Sequence, residues 1–182
     1  MSEREDNDLL KEFENPSLSH QAFKELIEKY KVRLYWHIRK IVIDHDDTDD
    51  VLQNSFIKIW KGLPSFQGES KLYTWLYRIA TNESITFLNS KKCRFFSSIN
   101  DSATDLVSKL ESDPYFEGDK AQLLLQQAIL TLPPKQRIVF NMRYFDEISY
   151  DDMSEVLGTS AGALKASYHH AVKKIEEFVK DH

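Results

Sequence analysis

Apolar residues recur at helical spacing along most of this chain, most clearly in its middle. Between Asp49 and Asn82, Leu52, Phe56, Ile59 and Trp60 fall at steps of i, i+4, i+7 and i+8, which gathers them into one stripe of a helix. Thr48 is a candidate cap, Asp49 and Asp50 complement the positive end of the helix dipole, and Gly62 and Pro64 stop the helix. A second helix is expected from about Ser70, with Leu72, Trp75, Leu76, Ile79 and Ala80 facing a core. Opposite that stripe stand Lys71, Arg78 and Asn82, with Tyr73, Thr74 and Tyr77 beside them. Cations and rings next to a polar loop over residues 65–71 suit unstacked nucleotides.

The flanks show the same periodicity with two interruptions. Residues 1–14 are acidic and without pattern, which predicts a mobile tail, and the first domain is expected to begin only at residue 19. Phe23, Leu26, Ile27, Tyr30, Leu34 and Ile38 then predict a helix from Ser19. The run Asp-His-Asp-Asp-Thr-Asp-Asp at 44–50 reads as a solvated helix start or a cation site, but it lacks the glycine and terminal glutamate of a calcium loop. After the basic cluster Lys91, Lys92 and Arg94 the pattern breaks, and residues 95–118 read as a linker. Its Phe95, Phe96, Leu106, Val107, Leu110, Tyr115 and Phe116 would be costly to leave bare and are expected to dock on the protein's own domains or on a partner.

Residues 119–182 form a further helical unit. A helix bearing Leu123, Leu124, Ala128 and Ile129 ends at Leu132, and Pro133 and Pro134 open another with Ile138, Val139, Met142 and Tyr144. Ser149 and Asp152 make a capping box for a short helix carrying Met153, Val156 and Leu157. Gly158 ends it, and a longer helix follows with Leu164, Tyr168, Ala171, Val172 and Ile175 inward. Short helix, glycine turn, long helix is the pattern of a DNA-binding helix-turn-helix, and equally of an αα-hairpin without a DNA role. The fold class is therefore all-α: two small helical domains joined by a linker.

Composition narrows the choice. The 182 residues are 41% hydrophobic with 12% aromatics, as in ordinary globular proteins, and one cysteine, Cys93, excludes an internal disulfide or a cysteine-rich zinc site. No apolar run reaches membrane-span length and the acidic start is no signal peptide, so a cytoplasmic protein without direct membrane insertion is expected. The net charge of -5 divides unevenly: residues 1–57 carry -5, 58–94 carry +5 and 95–182 carry -5. A basic island between acidic segments fits a protein that meets nucleic acid at one place, although lysines also simply solvate helix faces.

Two blocks of residues carry a family resemblance. The segment with DDVLQNSFIKIWK, F-x-G-E-S-K-L-x-T-W-L and R-I-A-T-N resembles region 2 of bacterial RNA polymerase sigma factors of the extracytoplasmic-function group. LPPKQRIVFNMRYFDEISYDDMSEVLGTSAGALKASYHHA resembles their region 4, and the likeness spans about residues 20–178. The resemblance implies a transcription initiation factor, without catalysis or cofactor, that binds core RNA polymerase, directs it to promoters and helps melt the minus-10 element. It implies polymerase contacts at Asp50, Gln53, Asn54 and Ile57. Phe66, Gln67, Gly68, Lys71, Trp75, Arg78 and Asn82 would hold single-stranded minus-10 DNA, with Trp75 open to both a core role and base stacking. Duplex minus-35 DNA would meet Ser160, Ala161, Lys165, Ser167, His169, His170, Lys173 and Lys174. An anti-sigma factor is a further implied partner.

The chain departs from the family pattern at its last helix. No Arg, Asn or Gln lies between Thr159 and Ala171, so the side chains that make bidentate contacts to guanine or adenine are missing. Phosphate contacts and groove shape are expected to carry minus-35 binding. His169 and His170 read as ordinary outward polar residues or as a pH sensor. The rival is a stand-alone helix-turn-helix regulator, which would not need the basic, aromatic middle segment. An enzyme is disfavoured by the lack of a phosphate-cradling loop or metal-ligand spacing.

Overall fold

The computed structural model describes residues 5–94 and 120–182, so the expected linker lies outside the described residues. Among these, eight α-helices follow one another: α1 (Asp6–Phe13), α2 (Ser19–Val42), α3 (His45–Gly62), α4 (Leu72–Arg94), α5 (Lys120–Leu130), α6 (Pro134–Tyr144), α7 (Tyr150–Leu157) and α8 (Ala161–Asp181). A single 3-10 turn, Leu63–Ser65, leads out of α3.

Two local expectations need correction. The acidic start is not patternless: Leu9 is buried, and the Phe13 ring meets Trp60 edge-on at 5.1 Å. Asp6 accepts from the Tyr30 hydroxyl and pairs with Lys29 at 3.0 Å, so α1 is fastened to α2 at its charged end as well. The helix is only two turns long, and its charges outnumber the three apolar residues that anchor it. The second correction concerns the start of α3, where Asp44 is the cap and its Oδ1 accepts from the Asp47 amide at 3.1 Å. Thr48 sits inside the helix with its hydroxyl on the Asp44 carbonyl. A carboxylate three residues before a free amide satisfies the first turn earlier than Thr48 can.

The N-terminal unit packs α2, α3 and α4 around Leu26, Leu34, Ile38, Val51, Ile59 and Leu76. In the C-terminal unit α5, α6 and α8 enclose Ala128, Ile129, Leu132, Phe140, Ala171 and Ile175. Ser149 caps α7 as expected, its hydroxyl accepting from the Asp152 amide at 3.1 Å, but the Asp152 carboxylate accepts from that same hydroxyl rather than from the Ser149 amide. Gly158, at φ 61°, closes α7 in a left-handed turn that a side chain would strain.

The two units are docked, and their cores merge. Leu72, Leu76, Tyr77 and Ala80 of α4 belong to one apolar cluster with Met142, Ile148, Met153, Val156 and Leu164. Polar groups fasten the seam. His37 of α2, 1% exposed, places Nδ1 2.8 Å from Asp146 and Nε2 2.8 Å from the Thr81 hydroxyl. Lys40 pairs with the same Asp146, and Asn141 donates to the Lys40 carbonyl at 3.3 Å. Next to Asp146, Glu147 adopts a φ of 54°, a backbone conformation that non-glycine residues adopt only where neighbours hold it.

Candidate nucleic-acid interface

On α3 the four residues assigned to polymerase share one open face. Asp50, Gln53, Asn54 and Ile57, at i, i+3, i+4 and i+7, are all exposed, while Val51, Ser55 and Ile59 on the opposite side are buried. Ile57 is 51% exposed, an apolar anchor left in water at the end of a polar strip. This face suits a protein partner.

The loop before α4 and the first turns of that helix form two adjoining clefts. One, of about 350 Å³, gathers Phe66, Gln67, Trp75 and Arg78 with Ser65, Glu69 and Ser70, and Glu155 of α7 closes it. The Trp75 and Phe66 rings are 5.1 Å apart at 47°, an aromatic corner beside a guanidinium. Both readings of Trp75 meet in this one side chain: a Cβ at Gly62 would come within 3.1 Å of its ring, so it packs on the end of α3 while still lining the cleft. Gly68 and Lys71 line the second cleft, of about 460 Å³, whose far wall is Asp6 and Asn7 of α1. Asn82 is exposed one turn beyond Arg78, apart from both clefts.

Three of the residues expected beside this basic face lie elsewhere. Thr74 and Tyr77 are buried, and Tyr73 is half-buried, because the C-terminal unit docks on that side of α4. Burial pushes the Tyr77 hydroxyl far above its usual range, with the Asp146 charge adding to the effect. The centre of the contact is Asp152, in the first turn of α7. Its Oδ2 accepts from Tyr73 at 2.5 Å and from Ser149 at 2.6 Å, its Oδ1 accepts from Thr74 at 3.3 Å, and Lys71 Nζ stands 3.4 Å from both oxygens. Burial pushes the Asp152 carboxyl up, but the Ser149 and Tyr73 hydroxyls and the Lys71 charge outweigh it and hold the group below the usual carboxylate range. Tyr73 is raised in turn, first by burial and then by its bond to Asp152. Sequence reasoning missed His37, Asp146 and the second role of Asp152. The available signal was polar residues inside buried stripes: His37 beside Ile38 and Ile41, and Thr74, Thr81 and Ser84 along α4.

In the helix-turn-helix, Ser160 caps α8 and accepts from the Ala163 amide at 3.4 Å. Lys165, His169, His170, Lys173 and Lys174 are exposed, and Ala161 and Ser167 are half-buried. Lys165 lies over the Tyr150 ring at 5.7 Å, and Lys174 donates to Gln136 at 3.1 Å, so two of the cations lean back onto α7 and α6. The face offers positive charge and the hydroxyls of Ser160 and Ser167, and little that distinguishes one base pair from another.

Known proteins share this arrangement. The sigma-70 region 2 model matches residues 26–94 and the sigma-70 region 4 model matches residues 122–175. The ECF RNA polymerase sigma factor SigW of Bacillus subtilis is 29% identical over 168 residues, covering 88% of this chain and 90% of its own. The RNA polymerase sigma-H factor of Pseudomonas aeruginosa is 29% identical over 173 residues, covering 86% of each. Among solved structures, the sigma factor RpoE of Bartonella quintana, in complex with the anti-sigma factor NepR, superposes with a TM-score of 0.72 at 22% identity, covering 87% of this chain and 96% of its own. CnrH in complex with the cytosolic domain of CnrY gives 0.69 at 20% identity, covering 97% of each.

Proposed function

The chain belongs to the extracytoplasmic-function group of the sigma-70 family and is a promoter-specific transcription initiation factor, and on that premise we propose which of its surfaces does each part of the work. Asp50, Gln53, Asn54 and Ile57 dock on core RNA polymerase. Phe66, Gln67, Trp75 and Arg78 receive an unstacked base of the minus-10 element, with Gly68, Lys71 and Asn82 along the strand. The carrying observation is the cleft that sets the Trp75 and Phe66 rings beside Arg78, next to a polar loop on the basic segment of the chain. A stand-alone regulator would have no use for it.

Lys165, His169, His170, Lys173 and Lys174 meet minus-35 phosphates, with Ser160, Ala161 and Ser167 against the groove wall. Duplex binding by the free chain is weak because the net charge is -5, and it strengthens when polymerase holds the two units at promoter spacing. The protein works in the cytoplasm, where polymerase is, and no helix among the described residues is long and apolar enough to cross a membrane. The RpoE structure holds the anti-sigma factor NepR and the CnrH structure holds the cytosolic domain of CnrY, and the first supports an anti-sigma regulator for this chain as well. The domain limits we favour are 19–94 and 119–182, with α1 fastened to the first. Reconstitution with core polymerase, followed by mapping of transcript starts, tests the assignment. Promoter-selective initiation that requires this chain is expected, and equal promoter binding with and without polymerase would overturn it.

A further inference from the structure

The Asp152 contact joins two things that a docking seam alone does not require. Lys71, Tyr73 and Thr74, within four consecutive residues of the strand-binding segment, all direct donors at one carboxylate. That carboxylate belongs to the C-terminal unit, and its remaining close partner, Ser149, is local to it. When the units separate, Ser149 stays with Asp152. An ammonium and two hydroxyls are then left on α4 and its entry, converging on an empty point. Oxygen anions are what such a set of donors binds, and the two non-bridging oxygens of a phosphodiester can accept the same charge-assisted hydrogen bonds that the two carboxylate oxygens accept here. Of the three donors, Lys71 also lines the cleft that holds Phe66 and Gly68, next to that of Trp75, where a strand would pass, and its side chain remains 67% exposed.

We propose that Lys71 Nζ, Tyr73 Oη and Thr74 Oγ1 form a phosphate subsite for the backbone of single-stranded DNA, and that Asp152 occupies it as an internal stand-in for that phosphate while the two units are docked. This rests on the minus-10 reading of the neighbouring cleft and adds to it Tyr73 and Thr74, together with a competitor built into the chain. Strand binding and docking exclude one another at this point. Because a phosphate carries no base identity, the subsite strengthens binding to every strand alike.

The test uses the full chain and a short fluorescein-labelled deoxythymidine strand, read by anisotropy across a salt series. Asp152→Asn removes the competing charge and should tighten binding about tenfold, the scale of one charge-assisted hydrogen bond. Lys71 is then released to a phosphate, so the slope of log K against log salt should steepen by about 0.7. Adding Tyr73→Phe to Asp152→Asn should loosen binding again several-fold, equally on an abasic strand. The proposal is overturned if Asp152→Asn leaves affinity and slope unchanged, if Tyr73→Phe has no effect in that background, or if its effect disappears on the abasic strand. The unmodified chain supplies a check independent of folding defects. On titration with the strand, the amide resonances of Tyr73, Thr74 and Asp152 should shift along one saturation curve, and movement at Tyr73 and Thr74 without Asp152 would refute the exchange. Run-off transcription with core polymerase separates the two levels: intact promoter-dependent transcription with a null Tyr73 result removes the subsite alone, whereas no transcription by the unmodified chain removes the reading beneath it.

Discussion

Replacing Asp146 by alanine should undo the docking of the two units without harming either one. Among the described residues the side-chain partners of Asp146 are His37 and Lys40, both on α2, so the carboxylate contributes to the seam rather than to its own unit. Burial pushes this carboxyl up, but the His37 hydrogen bond and the His37 and Lys40 charges outweigh it and hold it below the usual range. Breaking a buried pair by removing one partner costs about 3–5 kcal/mol, because the other is left desolvated and unpaired. Lys40 keeps 19% of its side chain in water and recovers part of that loss, while His37 at 1% does not, which favours the lower figure of about 3 kcal/mol. The ratio of docked to open chains should therefore fall about a hundredfold. Dyes at Glu28 and Glu176, both exposed and one on each unit, would report this as a loss of energy transfer. Chemical unfolding should at the same time separate into two transitions. A double-mutant cycle with His37→Ala should return a coupling above about 1 kcal/mol. Unchanged energy transfer in Asp146→Ala, together with a single unfolding transition at the original midpoint, would refute the reasoning.

Three further outcomes follow. Asp146 and Asp152 are both held below the ordinary carboxylate value of about 3.9, so their contribution to docking should be complete above that pH and disappear as pH falls through their lower folded values, visible in the same energy-transfer signal. A decline that began near pH 6 would assign the effect to other groups. Ile57→Glu changes an exposed residue and should leave stability within about 0.5 kcal/mol while lowering core polymerase affinity at least about tenfold, measured by fluorescence titration. Alanine at His169, His170 or Lys173 should weaken minus-35 binding by similar factors across promoter sequences, and a substitution profile with steep penalties at two or more contacted bases would show direct readout instead.

Within each unit, much of the fold was legible because helices are local. The stripe Leu52, Phe56, Ile59 and Trp60, the Ser149 and Asp152 cap, and the stop at Gly158 depend on residues within about two turns of one another. Asp50, Gln53, Asn54 and Ile57 were named from the family resemblance, and the structure leaves all four exposed along one side of α3. The docked seam was not legible. His37 meets Asp146 across 109 positions and Tyr73 meets Asp152 across 79, and neither spacing leaves a mark in a periodic pattern. Tyr73, Thr74 and Tyr77 were read as a surface beside Lys71 and Arg78, because a helix buried on two sides looks from its sequence like a helix with one apolar and one mixed face. The anchoring of α1 was hidden differently, since Leu9 and Phe13 are outnumbered by their acidic neighbours.

The merged core also governs how tightly the chain is seen to bind its polymerase. If only the separated form can span a promoter on the enzyme, the measured dissociation constant equals the intrinsic one divided by the fraction of chains already apart. Side chains at Met142, Met153 and Leu76, none of them on the α3 face, then tune that measured affinity. Trimming one should make the factor less stable and yet a tighter ligand for polymerase, as long as the separated units stay folded.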